Sequence, residues 1–198
     1  MSRIASFALS LAVFASALAA QVPIVLRGEV TDGSAAACYY CPGYSHVIKH
    51  SGTVLASPTI NLNLYHNLLC KITGTWNGAV VEVSAIEVVA DSFSISGNGN
   101  PGGTFRFTAE AASGDVAVSA LAFTTACTIP LDGTGLLLNP NTLGILGMGA
   151  CDSSGQMKIT IDIPDVPGLI GLRVFGQGLV MQPNGSFWTT NLDSKVVN

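Results

Sequence analysis

Hydrophobic residues recur at every second position over much of this chain, in short segments separated by Gly, Pro, Asn and Ser. From Met157 to Ile163 apolar side chains alternate with polar ones, and Phe105 and Phe107 lie in a similar row. A period of two indicates strands that have one face in a core and the other in water. No segment has the apolar period of a three-turn amphipathic helix, so the chain is predicted to be all-β.

The pattern divides into two groups of strands. The first is predicted at residues 24–30, 46–50, 59–64, 69–75 and 80–89, and the second at 104–110, 116–123, 136–138, 157–163, 172–181 and 187–190. Residues 92–103 are rich in Gly, Asn and Ser and are predicted to form a linker that fixes the two groups only loosely. We therefore predict a small barrel over 22–91 and an antiparallel β-sandwich over 104–198.

The end of the first group resembles the closing strands of an OB-fold. Residues 69–76 are followed by Asn77-Gly78 and then by a second apolar row over 81–86. Asn-Gly is a strong hairpin signal, because both residues tolerate the positive φ angles of a tight turn. The resemblance implies a small OB-like barrel. Such barrels often bind oligonucleotides or sugars, but the fold alone does not assign that function.

The N-terminus has the pattern of an export signal. Arg3 precedes an apolar stretch from Ile4 to Leu18, and Ala17-Leu18-Ala19 has the small residues of a cleavage motif. A bilayer-spanning helix needs about 20 consecutive apolar residues, whereas this stretch is shorter and interrupted by serines. We expect residues 1–19 to be a signal peptide and the mature protein to be secreted or held in the cell envelope, in the periplasm or at the cell surface, without a membrane span.

Composition narrows the choice of partners. Charged residues make up 10% of the chain and hydrophobic residues 48%, whereas ordinary domains carry about a quarter charged residues. Eight basic residues, Arg3 included, stand against twelve acidic ones. Because this balance offers no basic patch for phosphates, nucleic acid is not expected as a partner.

The five cysteines indicate disulfides in an oxidising compartment. Cys38 and Cys41 are followed by Pro42, which favours a turn and a structural disulfide. The alternative is a redox dithiol, whose first cysteine lies at a helix N-terminus. Cys127 and Cys151 are predicted to form a second disulfide worth about 3 kcal/mol. The odd count leaves at least one thiol over, and the state of Cys70 stays open.

A zinc site is the alternative interpretation of Cys38, Cys41, His46 and His50. The connecting loop is far shorter than in known zinc sites, and on a strand the two histidines would lie about 13 Å apart. We therefore expect surface or capping histidines, His66 among them, and no metal or other cofactor.

Three further motifs have structural interpretations. The Gly-x-Gly-x-x-Gly that begins at Gly97 lacks the βαβ context of a dinucleotide site. Asp162 and Asp165 resemble a calcium site only weakly, because Pro164 separates them and no Asp/Asn-rich loop follows. The second part has no His and no Gly-x-Ser-x-Gly. No catalytic residue is predicted, and the protein is not expected to be an enzyme.

Five aromatic residues of the first part would form a sugar-binding platform if one barrel face exposed them: Tyr39, Tyr40, Tyr44, Tyr65 and Trp76. Packing in the core is the competing and favoured interpretation.

The last 50 or so residues resemble a pattern that closes many exported proteins of planctomycete-type bacteria. The pattern consists of Gly155, Ile163-Pro164, Pro167, Leu169, Gly171, Gln177 and Thr190-Asn191. The resemblance implies export and a β-sandwich, and it brings no catalytic residue.

These observations predict an exported, non-enzymatic binding or structural module at the cell surface or in the extracellular matrix, with a glycan or another surface protein as its partner. Two alternatives stay open. One is a carbohydrate-binding protein that uses the barrel aromatics, and the other is a disulfide oxidoreductase at Cys38 and Cys41.

Overall fold

The structure, a computed structural model, describes residues 21–33 and 46–198. Within these ranges the chain forms β-strands and short 3₁₀ turns, with no α-helix. The prediction of an all-β fold is confirmed. Among the same residues, no helix is long and apolar enough to cross a membrane.

The first five strands form a closed barrel. They are β1 (Val22–Asp32), β2 (His46–Ile48), β3 (Thr53–Ala56), β4 (Leu69–Trp76) and β5 (Val80–Val88). Their order is β2-β3-β5-β4-β1, with β3 and β5 parallel and the other neighbours antiparallel. The end of β1 pairs with β2 and closes the ring. This small five-stranded barrel confirms the predicted OB-like fold.

The third strand lies at Thr53–Ala56, not at residues 59–64 as the sequence predicted. Part of the predicted segment is a 3₁₀ turn, Leu62–Tyr65, capped by the Asn61 side chain. Ile60 and Leu62 pack on the barrel core from this turn. Their spacing of two imitates a strand, which explains the error.

The predicted hairpin at Asn77-Gly78 is present between β4 and β5. Gly78 has a φ of 95°, a conformation open to glycine because it has no Cβ. The Asn77 side chain accepts hydrogen bonds from the amides of Ala79 and Val80 at 3.0 and 2.9 Å. Asn77 therefore stabilises the turn through its side-chain oxygen.

Ten more strands follow. They are β6 (Phe93–Ser96), β7 (Thr104–Glu110), β8 (Val116–Ala122), β9 (Thr125–Leu131), β10 (Thr134–Leu138), β11 (Gly144–Ala150), β12 (Gln156–Asp162), β13 (Arg173–Met181), β14 (Phe187–Thr189) and β15 (Asp193–Val196). One sheet has the order β12-β7-β6, and another has β11-β8-β13-β14 with β15 also on β13. All pairs within these two sheets are antiparallel.

The two sheets enclose one core, as expected of a sandwich. Phe93, Phe105 and Phe107 enter it from the first sheet, and Val174 and Val180 from the second. Met157 is buried and Lys158 exposed, so the predicted alternation of β12 is confirmed.

The predicted linker over 92–103 is part of the sandwich. Phe93 and Ile95 are buried side chains of β6, with exposures of 1% and 7%. The remaining residues turn the chain into β7, and the Asn98 side chain accepts the Thr104 amide at 3.1 Å. The linker prediction was wrong for β6, because the surrounding Ser, Gly and Asn residues obscured two core positions.

The β9–β10 hairpin connects the two halves of the fold. It follows β8 in the chain but extends the barrel sheet, in the order β4-β1-β10-β9. Val25 of β1 and Thr134 of β10 are partners in a short parallel ladder. The barrel and the sandwich therefore meet along this hairpin.

Candidate functional site

A cleft of about 400 Å³ lies where the barrel meets the second sheet. Outward-facing residues of β1 and β4 form one wall, and β14 forms the other. The turn between β9 and β10 closes it at one end. Its lining includes Arg27, Lys71, Gln182, Phe187 and Trp188. We call this site the junction cleft.

Asp132 and Gly133 form the turn at the end of the cleft. Their φ angles are 40° and 82°, so both central residues of this two-residue hairpin loop are in the left-handed region. Asp-Gly is among the sequences that favour this turn type, which matches the twist of the flanking strands. The turn directs Thr134 into the junction.

Thr134 of β10 connects its own strand to two neighbouring strands beneath the cleft. Its hydroxyl donates to the Val25 carbonyl at 3.1 Å, and its oxygen lies 2.6 Å from that of Thr189 on β14. It also accepts the Thr189 amide at 3.1 Å. Both threonines are buried, so these contacts hold β1, β10 and β14 together beneath the cleft.

Arg27 and Trp188 meet across the cleft. The Arg27 guanidinium carbon lies 4.3 Å from the centroid of the Trp188 ring, within the range of a cation–π contact. Both side chains are only partly buried. Burial lowers the pKa of Arg27, and the nearby charge of Glu87 opposes that shift. Arg27 nevertheless stays charged, because arginine side chains are not deprotonated in proteins.

A row of three charges crosses the barrel wall beside Trp188. Arg27, Lys71 and Glu87 are directly opposite one another on β1, β4 and β5. The Lys71 ammonium donates to Glu87 at 2.8 Å, and this bond is the largest cause of the lowered pKa of Glu87. Among the described residues the Arg27 guanidinium has no hydrogen bond or ion pair, and Arg27 lines the cleft.

No family model, curated protein or solved structure matches this chain.

The planctomycete resemblance therefore stays a prediction. Several residues of that pattern are buried or lie in turns of the structure. Gln177 is buried at the junction and Gly155 has a φ of 75° in a turn. Thr190 and Asn191 are also buried.

Of the five residues of the predicted aromatic platform, the structure describes Tyr65 and Trp76. Trp76 is 8% exposed and packs in the barrel core, and Tyr65 is partly buried against the same core. Core packing was thus the better interpretation for Trp76. Tyr39, Tyr40 and Tyr44 lie outside the described residues.

The predicted Cys127–Cys151 disulfide is absent, and both thiols are free. Cys127 is exposed on β9 of the barrel sheet, whereas Cys151 is buried after β11 in the sandwich core. Their loop-like sequence context suggested proximity, but the hairpin carries Cys127 into the other sheet. Cys38, Cys41 and the predicted signal peptide at residues 1–19 lie outside the described residues.

Cys70 is a core residue with a free thiol. Its Sγ donates to the Leu68 carbonyl at 3.5 Å, and burial raises its pKa to about 11. Burial also raises the pKa of Cys151, with further contributions from Asp115 and Asp152. Both environments suppress the thiolate, which is the nucleophilic form.

The histidines occupy three different settings. His46 is buried on β2, whereas His50 lies after the strand in a turn with a φ of 67°, so the two do not share a strand as predicted. His66 Nδ1 lies 3.3 Å from Asp32. Within residues 21–33 and 46–198, no group of three or more His, Cys, Asp or Glu is placed to hold a metal.

A larger cavity of about 600 Å³ lies beside β3 and the 3₁₀ turn. Its described lining includes Leu55, Pro58, Ile60, Asn61 and Glu82. This cavity is larger than the junction cleft, but those residues include no cation–π pair like that of Arg27 and Trp188. The junction cleft is therefore the stronger candidate site.

The junction cleft was not predicted from the sequence. Trp188 and Phe187 were placed on a strand, but nothing in their spacing brings them to Arg27. Asp132-Gly133 was the available signal, because Asp-Gly between two apolar rows predicts a tight hairpin. The position of that hairpin against β1 is a long-range contact that periodicity does not contain.

Proposed function

We propose that this protein is an exported, non-enzymatic binding module whose ligand occupies the junction cleft. The observation that carries the proposal is the convergence of Arg27, Lys71, Gln182 and Trp188 from separate elements in one open site. A few polar groups placed beside an aromatic surface are typical of ligand sites. Export is the expectation from the N-terminal sequence pattern.

The framework of the cleft supports binding more than catalysis. Its ionisable lining side chains are Arg27, Lys71 and Asp132. Acid–base catalysis uses a positioned group with its pKa near the working pH, paired with a second group that orients it. Lys71 is instead paired with Glu87, and Asp132 is an exposed turn residue.

Carbohydrate is the second candidate, as a class of ligand. Phe187 and Trp188 supply partly exposed rings, while Gln182 supplies an amide that can both donate and accept. Sugars present apolar ring faces together with hydroxyl groups, so this combination suits them. This version of the carbohydrate hypothesis uses the β14 aromatics in place of the buried Trp76.

Affinity electrophoresis tests the proposal with a panel of soluble polysaccharides: dextran, xylan, alginate, polygalacturonate and dextran sulfate. We expect at least one to retard the purified mature protein. Phe187→Ala and Gln182→Ala should weaken the retardation, and Phe123→Ala is the matched control because its aromatic side chain is 48% exposed outside the cleft.

The same samples test for catalysis. The reducing ends of a retarding polysaccharide should not increase during incubation with the protein. Retardation that is unchanged in both cleft variants would place binding elsewhere and contradict the proposal. An increase in reducing ends would contradict its non-enzymatic part.

A further inference from the structure

Arg27 is a cation without an acidic partner among the described residues. The other cations beside it or on the same barrel wall are paired, Lys71 with Glu87 and Lys49 with Glu29. Arg27 lies over the Trp188 ring, and this contact is not a hydrogen bond to any of the five guanidinium N–H donors.

The charge of Lys71 makes an Arg27 side chain without an acidic partner unfavourable in the unliganded protein. Arg27 and Lys71 are register partners on adjacent strands, and like charges in that position repel. Glu87 bonds to Lys71 and interacts with Arg27 only at longer range. An anion in the cleft would relieve the repulsion and use the free guanidinium donors.

We propose that the junction cleft selects ligands that carry a carboxylate or sulfate group, and that Arg27 binds this group while Lys71 adds attraction. This inference rests on the proposed function. The guanidinium fork matches an oxyanion with two parallel hydrogen bonds, which an ammonium does not reproduce. The ligand class is therefore an acidic saccharide, with the uronic acid and the sulfate ester as its two sources of the oxyanion.

Asp132 is the acidic residue of the cleft lining. It lies exposed at the turn, where water and salt screen its charge, whereas Arg27 is partly buried. Its carboxylate is suited to accept hydrogen bonds from sugar hydroxyl groups. The site thus combines an oxyanion position at Arg27 with acceptors for neutral parts of the ligand.

An alternative role for Arg27 is purely structural, as a contact that holds β14 against the barrel. If this is its role, Arg27→Gln should lower the stability of the protein without changing the preference among ligands. Anion binding predicts that the preference itself changes. The two roles are separated by measuring both the melting temperature and the affinity for charged and neutral sugars.

Isothermal titration calorimetry of the mature protein provides the affinities. The probes are trigalacturonate, a sulfated disaccharide and neutral maltotriose. We expect the wild type to bind at least one acidic probe at least about tenfold more tightly than maltotriose, a factor worth about 1.4 kcal/mol. Arg27→Gln should remove that preference, and Arg27→Lys should restore only part of it.

Arg106→Gln is the matched control, because it removes the same charge from an exposed position on β7. It should leave the preference unchanged. Galacturonate and sulfate probes then identify which oxyanion source the cleft accepts.

Equal binding of acidic and neutral probes, or a preference that survives in Arg27→Gln, would overturn the inference and leave the proposed function intact. Absence of acidic-probe binding up to about 1 mM would also overturn it. The proposed function fails separately, if the cleft variants leave polysaccharide retardation unchanged.

Discussion

Val25 of the barrel and Thr134 of the β9–β10 hairpin are joined twice, as partners in a parallel ladder and by a 3.1 Å bond from the Thr134 hydroxyl to the Val25 carbonyl. These residues are far apart in the chain and belong to segments that the sequence assigned to different domains. Their contact makes the junction cleft part of a fixed framework. A site of this kind does not depend on a flexible linker to assemble.

Gln177 should be essential for the stability of this junction. Its side chain accepts the Leu137 amide at 2.9 Å and donates to the carbonyls of Gly135 and Thr190 at 3.3 and 3.0 Å. Gln177→Leu would leave these buried groups unpaired, so we expect the free energy of unfolding to fall by about 3 kcal/mol in urea titrations. Gln182→Leu, an exposed control, should change it little, and equal effects of the two would contradict this role.

Replacing Ser119 with alanine should increase the stability of the protein. It is fully buried on β8, and its hydroxyl has no hydrogen-bond partner within the described part of the chain. Ser119→Ala removes this unsatisfied group, and we expect an increase of about 1 kcal/mol in the free energy of unfolding.

Thr190→Val is the comparison for Ser119. The Thr190 hydroxyl accepts the Gly178 amide at 2.7 Å and donates to the Asn191 carbonyl at 3.1 Å. Its loss should be destabilising in the same urea titration. A destabilised Ser119→Ala would mean that its hydroxyl has a partner in solution.

The three described cysteines should differ sharply in reactivity. Cys127 is exposed, whereas Cys70 and Cys151 are buried with raised pKa values. With a chromogenic disulfide reagent at pH 8, Cys127→Ser should lose one rapidly reacting thiol relative to the wild type, while Cys70→Ser should not. A Cys127–Cys151 link in non-reducing mass spectrometry would contradict the structure and restore the sequence prediction.

His50 should make stability depend on pH. Its ring lies edge-on to Phe175, with 6.0 Å between the centroids, and Nε2 lies 3.4 Å from the Ser194 hydroxyl. Burial lowers its pKa, Lys49 and Arg173 lower it further, and the charges of Asp193 and Glu29 oppose part of this shift. The folded state therefore binds this proton less tightly than the unfolded state, and stability should decline as pH falls through about 6.5.

His50→Asn tests this dependence, because Asn tolerates the left-handed backbone that His50 adopts. Urea midpoints at pH 7.5 and 5.5 should differ less in this variant than in the wild type. An unchanged difference would assign the dependence to other groups.

Local periodicity was sufficient to predict most of the strands and the two all-β parts. Met157, Phe105 and Phe107 are buried as their alternation predicted. The Asn77-Gly78 turn could also be predicted, because the hydrogen bonds that stabilise it join residues only two or three positions apart. The four-residue strand β3 was missed, because so few residues give a period little weight, and the seven-residue strands β9 and β11 were missed as well.

The junction cleft could not be predicted from the sequence, and the reason is different. Arg27, Asp132 and Trp188 come together through the parallel pairing of β1 with β10 and the antiparallel pairing of β13 with β14. These pairings depend on the register of distant segments. Composition and spacing describe which residues prefer strands, but they do not specify which distant strands become neighbours.

Ligand binding in the junction cleft is tested most directly by a ¹H–¹⁵N NMR titration of the mature protein with trigalacturonate. The chain has two tryptophans, so Trp188→Phe assigns both indole signals. Binding in the junction cleft predicts that the Trp188 indole and the Arg27 Nε–H signals shift together, while the buried Trp76 indole stays in place. Shifts confined to residues of the larger cavity, such as Ala56 and Asn63, with Trp188 and Arg27 unchanged, would contradict it.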